Sequence, residues 1–133
     1  MKFVKMLELP FFNEDNGDLV AIEGGTNNIG FSIERVFNVR AQKGQIRGRH
    51  AHRNCSQLLI CTNGEVEVRC DSGTKNSIYI LDKPNSGLLI SPKIWSEQKY
   101  IKANTILTVL CDQPFDENDY IRDYDEFLKY IND

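Results

Sequence analysis

Hydrophobic and polar positions along this chain alternate with the period of a strand over most of its length. The cleanest run is Glu65-Val66-Glu67-Val68-Arg69-Cys70, which predicts a strand with Val66, Val68 and Cys70 buried and Glu65, Glu67 and Arg69 wet. Further strands are expected over residues 32–39, 50–52, 57–62, 77–81, 88–90 and 105–111. The last is almost wholly apolar and so is expected to be buried on both faces. Turn signals fall between them: Asn63-Gly64, which reads as a hairpin, then Asp71-Ser72-Gly73, Lys83 to Gly87, and a corner at Pro92. Before Phe31 there are only short apolar runs, Met6 to Leu9 and Leu19 to Ile22, each expected as a short strand followed by a loop. Short strands punctuated in this way predict an all-β sandwich or barrel. The tail changes period. Tyr120/Ile121, Tyr124, Phe127/Leu128 and Ile131 recur at helical spacing, with Asp116 and Glu117 in front and Lys129 near the end. That order suits a helix dipole and predicts one C-terminal α-helix packed on the β-body. No repeat or linker interrupts the chain, so a single domain over 1–133 is expected.

Composition narrows the function. A chain of 133 residues buries roughly two-thirds of its unfolded surface, enough for a core without staples. With 16 Lys+Arg against 19 Asp+Glu, and the basic residues scattered, there is no electrostatic footprint for nucleic acid. Any anionic ligand must be met by a few placed arginines. No apolar run approaches the ~20 residues of a membrane span, and Met1 to Pro10 does not read as a secretory signal. The four cysteines form no CxxC pair and sit in strand-like surroundings. They read as free thiols in a reduced, cytoplasmic protein.

The candidate chemistry lies in residues 44–64, which hold the chain's two histidines, His50 and His52. At spacing two they leave one face of a strand together, as half of a metal site or as an acid/base pair. The stretch fits G-x5-H-x-H-x4-E-x6-G, a pattern of β-barrel metal proteins of the cupin class, with Gly44, His50, His52 and Gly64 in register. The carboxylate position, however, holds Gln57. The third histidine of that class, beyond a proline corner, is replaced by Ser96 after Pro92-Lys93-Ile94-Trp95. Two imidazoles and an amide are a poor set for Zn or Fe(II), which want three or four N, S or carboxylate ligands. What remains is two imidazoles able to exchange protons near neutral pH, with Arg35 and Arg47 as candidate anion-binding groups. Arg49, Ala51 and Arg53 are expected on the opposite, solvated face.

Arg47-Gly48-Arg49-His50-Ala51-His52, with Gln57 following, resembles the sugar-nucleotide 3,4-ketoisomerases, the WxcM-like cupins acting on dTDP-4-keto-6-deoxyglucose. The resemblance extends to Leu19 to Glu23, Phe31 to Val36, Gly87-Leu88, Pro92 to Trp95 and the closing run Asp119 to Phe127. It implies a double-stranded β-helix that exchanges N-terminal strands to form a homodimer. It further implies transfer of a ketone from C4 to C3 of the sugar through an enediol, without metal or organic cofactor. On this reading His50 is the base that shuttles the C3 proton, and His52 bonds the enediol oxygens or moves protons between them. Arg35, Arg47, Asn38 and Gln57 are expected to bind substrate. Asn38, Ser96 and Asn16 stand where members usually carry tyrosine, histidine and arginine. Two other readings remain open. One is a dTDP-sugar 3,5-epimerase, which uses a histidine–aspartate dyad and a tyrosine acid. The other is a barrel that binds a nucleotide sugar without turnover. The implied pathway role is supply of a keto sugar for a 3-amino-3,6-dideoxyhexose of a surface polysaccharide.

Overall fold

The computed structural model describes residues 1–133. The strands are β1 (Val4–Glu8), β2 (Phe11–Glu14), β3 (Gly17–Val20), β4 (Arg35–Arg40), β5 (Ile46–His52) and β6 (Gln57–Asn63). After them come β7 (Val66–Asp71), β8 (Asn76–Leu81), β9 (Ser86–Ile90), β10 (Trp95–Tyr100), β11 (Ile106–Cys111) and β12 (Tyr120–Ile121), then the helix α1 (Tyr124–Asn132). Two five-stranded antiparallel sheets, ordered β1-β9-β6-β11-β4 and β12-β5-β10-β7-β8, face one another. From β4 onward the chain steps back and forth between them, giving the expected double-stranded β-helix with a C-terminal helix. Val66, Val68 and Cys70 are buried, as the alternation in β7 demands, and join Leu59, Leu107 and Val109 in the core between the sheets.

Each outer face is covered locally. Leu9, Ile29 and Phe31 pack on Leu58, Ile60 and Leu110 behind the first sheet. Behind the second, Phe127 of α1 meets Ala51, Trp95 and Ile121. Ala51 is therefore fully buried under the helix, not solvated as its alternation with the histidines suggested.

Three elements differ from expectation. The Asn63-Gly64 turn joins no hairpin: β6 pairs with β11 and β9, whereas β7 pairs with β10 and β8. It is a corner between sheets, and its glycine is needed because φ is +87° and a Cβ there would lie 2.9 Å from the Cα of Thr105. Tyr120 and Ile121 are not helical but form β12, pairing with His52 and Ala51 of β5. The helix starts later, where the Asp123 side chain caps Glu126 N–H. Strand β10 is also new. Its inward residues Ser96, Gln98 and Tyr100 line or approach a cavity, so polar groups erase the hydrophobic alternation that would announce a strand.

At the N-terminus β1 pairs with β9 of its own chain. Strands β2 and β3 pair only with each other, leaving Phe11 43%, Phe12 60% and Leu19 57% exposed.

Candidate active site

The barrel interior opens into a cavity of about 250 Å³ whose wall includes His50, Arg35, Arg47, Gln57, Gln98 and Tyr120. A regular strand would send Arg47 and His50, three residues apart, to opposite faces. Strand β5 solves this with a bulge. Gly48 and Arg49 have φ of +87° and +58°, and the pairing with β10 slips so that Glu97 faces Gly48 while Ser96 faces His50 and Gln98 faces Arg47. Both side chains consequently reach the cavity, and Arg49 is turned to solvent. Gly48 is required twice over, by its positive φ and because a Cβ would collide with the Gln98 amide. That amide is itself held by a 3.0 Å bond from its Nε2 to the Ser96 hydroxyl.

His50 and His52 share a face, their rings 5.1 Å apart and nearly perpendicular. Their environments differ. His50 lines the cavity with its Nδ1 buried and unpartnered. Burial, reinforced by neighbouring His52, pushes its pKa down to about 4, so at neutral pH it is an uncharged base. His52 is 7% exposed and stands behind His50 and Tyr120, off the cavity wall. Its Nδ1 bonds the Asp119 carboxylate at 2.8 Å, which leaves Nε2 as a buried, unpartnered atom. Burial lowers its pKa more than the Asp119 bond raises it, so the ring is neutral and the pair is a hydrogen bond rather than a salt bridge. The nitrogen through which His52 would meet the enediol oxygens, as the resemblance implies, is Nε2, which Asp119 leaves without a partner. As the strand runs on past His50, it carries His52 behind the ring of Tyr120.

Arg35 reaches the cavity from β4, stacked 4.5 Å over Phe37 and 5.0 Å from Phe115, and donates Nη1–H to the Tyr120 hydroxyl at 3.1 Å. Gln57 also faces the cavity, its amide Nε2 directed 3.6 Å from Cys111 Sγ. Asn38 does not. In β4 the inward residues are Arg35, Phe37 and Val39, and Asn38, at odd spacing from Arg35, is on the exposed outer face, where it accepts a 2.6 Å bond from Thr108. Its assignment to substrate is withdrawn on that ground.

The family model described as FdtA: WxcM-like, C-terminal, matches residues 2–132. The chain belongs to this family. A TDP-4-oxo-6-deoxy-alpha-D-glucose-3,4-oxoisomerase of Aneurinibacillus thermoaerophilus is 40% identical over 128 residues, 96% of this chain and 91% of that protein. The structure of a histidine-to-asparagine mutant of the 3,4-ketoisomerase QdtA from Thermoanaerobacterium thermosaccharolyticum, in complex with TDP-4-keto-6-deoxyglucose, superposes with a TM-score of 0.94 at 32% identity. It covers 99% of this chain and 96% of QdtA. A 3,4-ketoisomerase from Helicobacter canadensis is similar at TM-score 0.92 and 36% identity, with 98% of each chain covered.

Within this WxcM-like barrel a metal has poor prospects. His52, Cys55 and Asp119 bring potential ligand atoms within 4.8 Å of one another. However, the two Asp119 oxygens already accept from His52 and from Asn54 N–H at 2.6 Å. The Cys55 thiol is pushed far up by hydrogen bonding with the free Cys111 thiol and by burial, away from the thiolate a metal needs. Sequence reasoning missed Asp119, Tyr120 and Arg122. All three come from the tail that read as helix, and only the β12–β5 pairing brings them to the histidines. Arg122 lies 4.3 Å over the Tyr120 ring, held by a two-pronged bond to Glu117 at 2.7 and 2.9 Å.

Proposed function

We propose that the protein is a sugar-nucleotide 3,4-ketoisomerase that moves the ketone of dTDP-4-keto-6-deoxyglucose from C4 to C3 with His50 as the carbon base. The observation that carries this reading is the uncharged His50 imidazole on the wall of a cavity that also holds Arg35, Arg47 and Arg122. A neutral imidazole can take a proton alpha to a ketone, and guanidinium groups bind the anionic ligand. The cavity is smaller than the roughly 300–1,000 Å³ of pockets that enclose a drug-sized ligand. It suits the sugar ring, with the nucleotide extending beyond the mouth. The relatives support the substrate class: one is named as an oxoisomerase of this TDP-sugar, another is described in complex with it.

The 3,5-epimerase reading needs a dyad histidine against the substrate. An aspartate does stand on a histidine here, but that histidine is His52, off the cavity wall. The histidine that lines the cavity carries no carboxylate.

The enzyme acts as a cytoplasmic homodimer whose second copy covers the apolar β2–β3 hairpin, without metal or organic cofactor. Its 3-keto product feeds an aminotransferase of surface polysaccharide synthesis. The family likeness and the exposed Phe11, Phe12 and Leu19 support these points. Proton NMR of dTDP-4-keto-6-deoxyglucose with the protein and EDTA in deuterated buffer tests the reaction. A 3-keto sugar with deuterium at C4 is expected. Exchange at C3 and C5 with the ketone still at C4 would indicate an epimerase, and binding without exchange a carrier.

A further inference from the structure

The sugar of the proposed substrate carries two hydroxyl groups, and the reaction uses one of them. The C3 hydroxyl becomes the new ketone, so the C2 hydroxyl is the one that a pocket can hold unchanged from start to finish. We propose that Gln98 binds this C2 hydroxyl and sets a preference for the sugar over its 2-deoxy analogue. The assignment rests on the ketoisomerase reading above.

Three observations carry it. Gln98 stands on the cavity wall, 8% exposed, and its amide makes one protein bond, from Nε2 to Ser96 Oγ at 3.0 Å. That bond uses one amide hydrogen and fixes the plane of the group. The second Nε2–H and the carbonyl Oε1 are left over, a donor and an acceptor on one group, which matches a single hydroxyl. Next, Oε1 faces Gly48, where a Cβ would collide with it, so the glycine carries no side chain over the acceptor.

The third observation is the order of residues along the wall. In the register of β5 and β10, Ser96 faces His50 and Gln98 faces Arg47. Ser96 and Gln98 are one same-face step apart, about 7 Å along a strand, a span comparable to a hexose ring. With C3 at His50, a ring laid along this step brings C2 towards Gln98. Carbon C1, which bears the diphosphate, then comes towards Arg47, whose guanidinium can pair with two phosphate oxygens. The other amide on the wall, Gln57, belongs to β6 in the facing sheet and turns its Nε2 to Cys111 Sγ. It is across the cavity from this row.

The test compares wild type with Gln98→Met, an apolar side chain of similar length, on TDP-4-keto-6-deoxyglucose and on its 2-deoxy analogue. Proton NMR follows the 3-keto products, and the readout is the ratio of kcat/KM for the two sugars. A buried amide left without its partner should cost wild type roughly 5–100-fold on the analogue. In Gln98→Met the parent sugar should lose a similar factor and the analogue should not, which brings the ratio within about twofold of one. Affinity for TDP alone, measured by calorimetry, should not change. A ratio that stays at the wild-type value in Gln98→Met, even with both rates lowered, marks a residue that only shapes the cavity and overturns the proposal. Equal conversion of both sugars by wild type overturns it too. If wild type converts neither sugar, the ketoisomerase reading fails and the proposal with it, whereas a converted parent sugar with an unmoved ratio faults Gln98 alone. Should Gln98→Met not fold, Ser96→Ala keeps the glutamine and frees its amide to turn. The ratio should then fall towards one, and an unmoved ratio overturns the assignment.

Discussion

His50 and His52 share a strand face and differ in almost everything else that matters for chemistry. His50 lines the cavity, whereas His52 is a buried ring tied to a carboxylate. His50→Asn should therefore lower turnover by about 10²–10⁴-fold while calorimetry still detects TDP binding. The pH dependence follows from the depressed pKa. A base acts only when unprotonated, so activity is lost as pH falls through it. The acid limb of kcat/KM, which reports the free enzyme, should lie near pH 4 rather than 6.5. The same shift has a stability consequence with a definite sign. The folded-state value lies below the unfolded one, so the unfolded chain takes up the proton first. The stabilising contribution of neutral His50 is complete above about pH 6.5 and is lost as pH falls through about 4. Thermal denaturation of wild type and His50→Asn between pH 7 and 4 should show the smaller loss in the variant. Asn38→Ala is expected to leave kcat and KM within about twofold, because an exposed substitution away from the site changes little. A large rise in KM would return Asn38 to the site.

Among elements, β5 and β12 decide the site. Gly48→Ala puts a Cβ on a left-handed residue at a bulge and against a bonded glutamine. A cost of about 1–3 kcal/mol in denaturant stability is expected, with a rise in KM because Arg47 and His50 no longer share a face. Asp119→Ala leaves two donors, the buried His52 Nδ1–H and the part-buried Asn54 N–H, without their acceptor. It should cost about 1–3 kcal/mol and loosen the loop that presents Tyr120. Neither element was legible as it stands. The bulge lay hidden in Arg47-Gly48-Arg49, where a glycine among charged residues reads as a loop and no periodicity reveals a register slip. The pairing of Tyr120–Ile121 was masked because 120, 121, 124, 127 and 128 fit a helical period by chance of the strand–helix junction. By contrast, the outward direction of Asn38 was available from spacing alone: three residues from Arg35 on a regular strand means the other face.

At the scale of the whole molecule, the β2–β3 hairpin is the part the single chain leaves unexplained, with two phenylalanines and a leucine exposed on strands that pair only with each other. In the homodimer proposed above, a second copy would cover it. Analytical ultracentrifugation should show a dimer for wild type and a shift towards monomer for the double variant Phe12→Asp, Leu19→Asp; an unshifted dimer would place the interface elsewhere. By itself the sequence determined the all-β barrel, the buried face of β7, the presence of one C-terminal helix and the paired histidines. Those features depend on side-chain alternation, turn chemistry and spacing within a few residues, which local backbone geometry dictates. Only the tertiary structure decided that Asn63-Gly64 is a corner and that His52 is withdrawn behind Tyr120. It alone brought Asp119, Tyr120 and Arg122 into contact with a strand some 67 residues earlier. Strand partners at that separation are selected by how two sheets close around one core, and no short-range pattern records that choice.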